Sequence, residues 1–156
     1  MELIREALRD KRQTGRRMYS LARRFSGDLH EIYHDGKSLA DHSLQEMFNL
    51  VKELPYRRDD APIEIVARPR YIVKMADGGI DCKKKAVMLG AWCQVNGFRA
   101  PGQWRFVSVS HRPDKVIHHV FPQIKLQGYW KNIDATYPEY KLFGVKKVTA
   151  FEELLP

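Results

Sequence analysis

The sequence predicts an α+β fold, with helices first and an antiparallel sheet after them. Three observations carry this expectation. Apolar residues recur at helical spacing through much of the first 95 positions; after Pro101-Gly102 the pattern turns to strand-like runs; and Gln127-Gly128 joins two of those runs as a short hairpin. The 156 residues suffice for one domain with a real core and are too few for two comfortable ones. Hydrophobic residues at 44% and charged residues at 29% fit an ordinary globular chain, and the apolar runs are too short to span a membrane.

Residues 2–13 read as a short amphipathic helix with Leu3, Ile4, Ala7 and Leu8 on one side, and Thr14-Gly15 reads as a break. A second helical stretch covers about 16–25, with Met18, Leu21, Ala22 and Phe25 in phase. Ser26-Gly27-Asp28 and His34-Asp35-Gly36 mark turns. Residues 41–54 form the next expected helix, with Leu44, Met47, Phe48, Val51 and Leu54 on one stripe. Asp41 or Ser43 is its cap and Pro55 its end. Residues 56–75 read as an extended or irregular connector containing Pro62 and Pro69. A helix over 82–95 stops at Asn96-Gly97, with Cys82, Ala86, Leu89 and Cys93 on one face. Strands are expected at 104–110, 116–126 and 129–136, and a helical turn at 149–155. Residues 1–40 thus read as a basic helical N-terminal extension, and 41–156 as the core domain.

Net charge is +8 and unevenly spread. Within residues 1–24, Arg5, Arg9, Lys11, Arg12, Arg16, Arg17, Arg23 and Arg24 face only Glu2, Glu6 and Asp10. A basic segment of this kind, Arg5, Arg9, Arg12, Arg16 and Arg17 above all, can bind nucleic acid or an acidic protein surface. The plainer reading is a solvated helix face. No aromatic residue is interleaved with the arginines up to Arg17, so no base-stacking platform is evident. The first thirty residues hold no apolar signal core. The two cysteines, eleven residues apart on one expected helix, would lie ~16 Å apart, too far for a disulfide. The absence of a Cys-x-x-Cys pair disfavours structural zinc, and free thiols suit a reducing cytoplasm. No cofactor or metal is expected.

The chemistry centres on Cys82, which follows Asp77-Gly78-Gly79-Ile80-Asp81 and opens the 82–95 helix. His119 and Asp134 follow it in order, and these three residue types can make a thiolate nucleophile, its base and the base's orienter. A two-residue loop at 127–128 pairs Leu126 with Tyr129, Phe121 with Asp134 and His119 with Thr136. His119, Phe121 and Asp134 then project from one face, and His118, Val120, Ile124 and Leu126 from the other. His119 and Asp134 become diagonal neighbours at about 7–8 Å or less between alpha carbons. Pro122 suggests an edge or bulged strand. At a helix N-terminus, with Lys83, Lys84 and Lys85 adding positive charge, a thiol is favoured as thiolate. The unpaired Cys82 N–H could serve an oxyanion, with the second donor unassigned. Each residue also has a plain reading: Cys82 as a small buried hydrophobe, His119 as a packed strand histidine, Asp134 as an Asx turn. Cys93 reads as core, and His30, His34, His42 and His111 show no metal-ligand spacing.

These segments resemble the transglutaminase-like superfamily. Gly79-Ile80-Asp81-Cys82-Lys83-Lys84-Lys85-Ala86-Val87-Met88-Leu89 resembles its Gly-Asp-Cys-x-x-x-Ala-x-x-Leu signature. Asn96-Gly97-Phe98-Arg99-Ala100 is similar to the segment after its cysteine helix, His119-Val120-Phe121 to its His strand, and Trp130-Lys131-Asn132-Ile133-Asp134-Ala135-Thr136 to its Asp strand. The resemblance covers roughly 41–138. It implies a papain-like core, a Cys-bearing helix packed on an antiparallel sheet. It implies thioester chemistry with Cys82 as nucleophile, His119 as general base and acid, and Asp134 holding the imidazole. Ile80 interrupts the usual Gly-Asp-Cys and no tryptophan precedes Cys82, departures that favour hydrolysis of a peptide or glutamine-type amide over cross-linking. The alternative is a non-catalytic structural or assembly protein, such as a phage virion component, docking through its basic N-terminal segment. Localisation follows as cytoplasmic, or virion for a phage product.

Overall fold

The computed structural model describes residues 4–6, 11–60 and 64–156, the first three as backbone alone. Strand β1 (Ile4–Glu6) leads to helix α1 (Lys11–Arg24), a 3₁₀ turn at Ser26–His30, a small hairpin of β2 (Tyr33–His34) and β3 (Lys37–Ser38), and helix α2 (Leu44–Glu53). Strand β4 (Glu64–Val66), helix α3 (Pro69–Met75) and helix α4 (Cys82–Val95) follow. Strands β5 (Trp104–Ser110), β6 (His119–Leu126), β7 (Tyr129–Asn132) and β8 (Ala150–Leu154) complete the chain. The fold is α+β. Its main sheet has the order β7-β6-β5-β8, antiparallel throughout, and β1 pairs with β4 in a separate two-stranded ladder. Among the described residues, no helix is long and apolar enough to cross a membrane.

Helix α4 is the centre of the molecule. Lys84 through Cys93 are all buried, because α1, α2 and α3 pack around it and β5 and β6 lie against it. The face of Cys82, Ala86, Leu89 and Cys93 is therefore one part of a helix enclosed on nearly all sides, rather than a single core-facing stripe. Its end matches the Asn96-Gly97 signal, with Gly97 at φ +92°. Ser43 caps α2: its hydroxyl accepts from the Glu46 N–H, and the Glu46 carboxylate accepts from the Ser43 N–H.

Four expectations are corrected. Residues 4–6, expected to be helical, are strand β1; the rest of the expected 2–13 helix up to residue 10 lies outside the described residues. Helix α1 runs through Thr14-Gly15 without a break. Gly15 is there for closeness, since an added Cβ would sit 3.1 Å from Leu154 Cβ. The 56–75 connector contains β4 and α3, and Pro69 stands at the first turn of α3, where its missing N–H costs nothing. Buried Asp28 fixes that turn by accepting from Arg68 Nε at 2.9 Å and the Arg70 N–H at 3.1 Å. Residues 150–154 form strand β8 rather than a helical turn, and satisfy the outer edge of β5.

The hairpin register is as the turn dictates over Leu126↔Tyr129, Lys125↔Trp130, Ile124↔Lys131 and Gln123↔Asn132, but the strand expected over 129–136 ends at Asn132, so the expected Phe121–Asp134 and His119–Thr136 pairs lie beyond the ladder. Gln127 and Gly128 both have positive φ, at 51° and 82°, the geometry of a two-residue hairpin loop. Pro122 lies in neither an edge nor a bulged strand. Its carbonyl accepts from the Ile133 N–H at 3.0 Å, so its absent donor faces the point where β7 leaves the ladder.

Helix α1 belongs to the same core as α4. Met18, Tyr19, Leu21 and Ala22 join its hydrophobic cluster, and Tyr19 Oη accepts from the Phe106 N–H at 2.8 Å. Contact between α4 and the sheet depends on Gly90, where a Cβ would meet Phe106 Cζ and Trp104 Cζ3 at 2.9 Å each. Those rings belong to a packed trio with Tyr19 that cannot yield freely. Gly90→Ala is therefore expected to destabilise the protein by about 1–3 kcal/mol, read as a lower urea midpoint at unchanged slope. An unchanged midpoint would show that helix and sheet are not in contact there.

Candidate active site

Cys82 is the first residue of α4, and the chain that delivers it is tightly held. Gly79 has φ +90°, and a Cβ there would lie 2.6 Å from Arg57 Cβ, so only glycine fits. Ile80, fully buried, donates its N–H to Pro55 O at 2.8 Å, while its carbonyl accepts from the Arg57 N–H at 3.2 Å. This bridge sets Tyr56 beside Ile80. The insertion that separates Gly79 from Asp81-Cys82 is thus an anchor for the turn. Asp81 caps α4, accepting from the Lys84 N–H at 3.2 Å.

Of the three lysines expected to form a cationic field around the thiol, Lys83 lines the cleft with Cys82 and feels its charge, while Lys84 and Lys85 are engaged elsewhere. Lys83 pairs with Asp81 and with Glu64 and Asp59, at 2.5 Å and 3.6 Å for the last two; Lys84 pairs with Asp59 at 2.7 Å and Asp81 at 3.5 Å. Asp59, Glu64 and Asp81 bring their oxygens close enough for a cation, and the Lys83 and Lys84 ammonium groups meet that charge. Lys85, 1% exposed, points into the protein and donates to Leu54 O at 2.7 Å, Thr136 O at 2.9 Å and Lys52 O at 3.3 Å. Sequence reasoning missed these roles because, Asp81 apart, the partners are remote in the chain.

His119 opens β6 and Asp134 lies two residues beyond β7. His119 Nε2 and Asp134 Oδ2 are 2.7 Å apart, with the two residues 7% and 2% exposed. Asp134 is held from both sides. Its Oδ1 accepts from the Thr136 hydroxyl at 2.6 Å and the Thr136 N–H at 3.1 Å, and its Oδ2 also meets Lys146 Nζ at 2.8 Å. The Asx turn and the histidine contact are therefore simultaneous, one on each carboxylate oxygen, and the turn is what ends β7. Burial works against the carboxylate charge, but His119 and Lys146 outweigh it and hold Asp134 below the usual range. For His119 burial opposes the proton, yet Asp134 and the adjacent Cys82 prevail and raise its pKa to about 9.

Cys82 and His119 line one cleft of about 210 Å³. With Nε2 committed to Asp134, Nδ1 is the nitrogen left to Cys82. Met18 and Thr14 of α1, Val120 of β6 and Leu154 of β8 wall the cleft, together with Ile117 and His118. His118 was expected on the opposite face from His119. It precedes β6 instead, accepts from the His111 N–H at 3.1 Å and lines the same cleft. The remaining surroundings are aromatic: Tyr137 stacks near His119 at 6.5 Å and 19°, and Tyr56 lies 5.0 Å from Tyr137. Cys93 is fully buried, which pushes its thiol pKa up. Compared with known proteins, the chain matches no family model, no curated protein and no solved structure.

Lys85→Met keeps the length of the side chain but removes the donor from one buried and two half-buried carbonyls. A loss of about 2–3 kcal/mol in urea unfolding is expected. Equal stability would mean that these carbonyls find other partners.

Proposed function

We propose that the chain is a cysteine-dependent acyl-transfer enzyme with a papain-like, transglutaminase-like core, hydrolysing a peptide or glutamine-type amide through a thioester on Cys82. The observation that carries this reading is the buried 2.7 Å contact of His119 with Asp134 beside the Cys82 cleft. A scaffold has no need of an imidazole bonded to a doubly anchored carboxylate and turned toward a thiol.

In this mechanism the Cys82 sulfur attacks the substrate carbonyl carbon, forming a C–S bond as the carbonyl π pair moves onto oxygen. Collapse restores the carbonyl and breaks the bond to the leaving amine, which takes the proton of the His119 imidazolium. Water, giving a proton back to His119, then attacks the thioester, and Cys82 departs as the leaving group. Asp134 keeps the ring oriented and stabilises its charge. A His119 pKa of about 9 keeps that proton available at neutral pH.

The alternative, a structural or assembly protein docking through Arg5, Arg9, Arg12, Arg16 and Arg17, has less support. Helix α1, which carries the last three, is a packed wall of the cleft with Met18, Leu21 and Ala22 buried.

The test is alkylation of the full chain by iodoacetamide at pH 7, with Cys93 shielded by burial. Cys82 is expected to react about 10-fold faster than a free thiol. His119→Ala should abolish the advantage, and Asp134→Asn should reduce it. A wild-type rate no greater than that of a free thiol, unchanged in His119→Ala, contradicts the proposal.

A further inference from the structure

We propose that Lys146 is a positioning residue of this site: its ammonium binds the same Asp134 oxygen as the His119 imidazole, and so loosens the imidazole's hold on its proton. The inference rests on the acyl-transfer reading above and deepens it, since it assigns what sets the strength of that reading's acid and base.

Asp134 divides its two oxygens unequally. Oδ1 accepts from the Thr136 hydroxyl and the Thr136 N–H, both neutral donors. Oδ2 is left to His119 Nε2 at 2.7 Å and Lys146 Nζ at 2.8 Å. Because both bond one atom, the imidazole and the ammonium lie within about 5.5 Å of each other, a range in which a like charge disfavours the protonated ring.

Lys146 is held where it is. It sits on a strap, residues 141–149, that runs from the end of β7 to the end of β5. The Phe143 N–H donates to Asn132 O at 3.0 Å, Asn132 Nδ2 donates to Gly144 O at 2.9 Å, and the Thr149 N–H donates to Ser110 O at 2.8 Å. Lys146 Nζ lies 3.6 Å from the centre of the Tyr140 ring and 5.3 Å from that of Phe121, with its side chain 12% exposed. The other titratable groups nearby are Cys82 and Lys85 of α4, His111 and His118 between β5 and β6, and Tyr137, Glu139 and Tyr140 after β7. Lys85 gives its ammonium to backbone carbonyls, so among the described residues Lys146 is the lysine that meets the carboxylate directly.

An Asp134 carboxylate given wholly to His119 would hold the imidazolium more firmly. A general acid needs a proton that can leave near the working pH, and a general base needs a ring free to take one. Sharing Oδ2 moves His119 toward that condition, while Thr136 keeps the carboxylate in place.

The test is an NMR titration of the His119 ring nitrogens in the full chain, with the pH profile of deacylation after p-nitrophenyl acetate beside it. In Lys146→Met the His119 midpoint is expected to rise by about one unit from its value of about 9. Lys146→Gln, which keeps a neutral donor to Asp134 should the methionine variant fail to fold, is expected to show the same rise. The midpoint of deacylation, which needs the free imidazole as base, rises with it. Lys146→Arg returns both to the wild-type values. A merely structural lysine predicts the opposite sign: once the strap loosens and Asp134 turns away, the midpoint falls toward that of an ordinary histidine. A fall, or no change, in the neutral variants overturns the proposal and leaves the acyl-transfer reading intact. A rise in Lys146→Met that Lys146→Gln reverses also overturns it, since a hydrogen bond and not a charge is then at work. A wild type that neither alkylates quickly nor acylates removes the acyl-transfer reading, and the catalytic role of Lys146 with it.

Discussion

The site depends on the buried ammonium of Lys85. This one group binds the carbonyls of Lys52 and Leu54, where α2 ends, and of Thr136, just past Asp134. It therefore ties the first turn of the cysteine helix to the segment that carries the carboxylate. The Leu54 carbonyl immediately precedes Pro55, whose own carbonyl anchors Ile80. Three segments that meet at Cys82 are thus fastened within a few ångströms of one another. A methionine or leucine at 85 would fill the space and leave the carbonyls stranded.

Around that fastening, charge is arranged in closed sets. Lys83 and Lys84 meet Asp59, Glu64 and Asp81 on one side of Cys82. On the other side Asp134 is shared between His119, Lys146 and Thr136. Lys146 is itself held over the rings of Tyr140 and Phe121. The first set holds two ammonium groups against three carboxylates, and in the second one carboxylate meets both His119 and Lys146; the imidazole of His119 responds chiefly to Asp134 and Cys82.

Some of this was legible in the chain and some was not, for identifiable reasons. The Gln127-Gly128 turn specifies its register through local backbone geometry, so the shared face of His119 and Asp134 could be read from sequence. The cysteine helix was legible from its apolar spacing after the glycine break and from Asn96-Gly97, both local signals. Helix α3 was missed because Pro69 reads equally as a breaker or as a first helical residue, and its anchor, Asp28, is forty positions away from Arg68. Strand β8 was missed because its pairing comes from the open edge of β5. Lys84 and Lys85 were misread because a charge in sequence shows its sign and not its partner. The pairing of Tyr56 with Ile80 was not legible, because it joins residues twenty-four positions apart.

The central claim is that Cys82, His119 and Asp134 form one coupled unit. Its most direct test is an NMR titration of the His119 ring nitrogens in the intact protein. The raised pKa predicts an imidazolium that persists through neutral pH and loses its proton near 9, with a lower midpoint in Asp134→Asn and in Cys82→Ala. A midpoint at the ordinary value of about 6.5, unmoved by either substitution, would contradict the account.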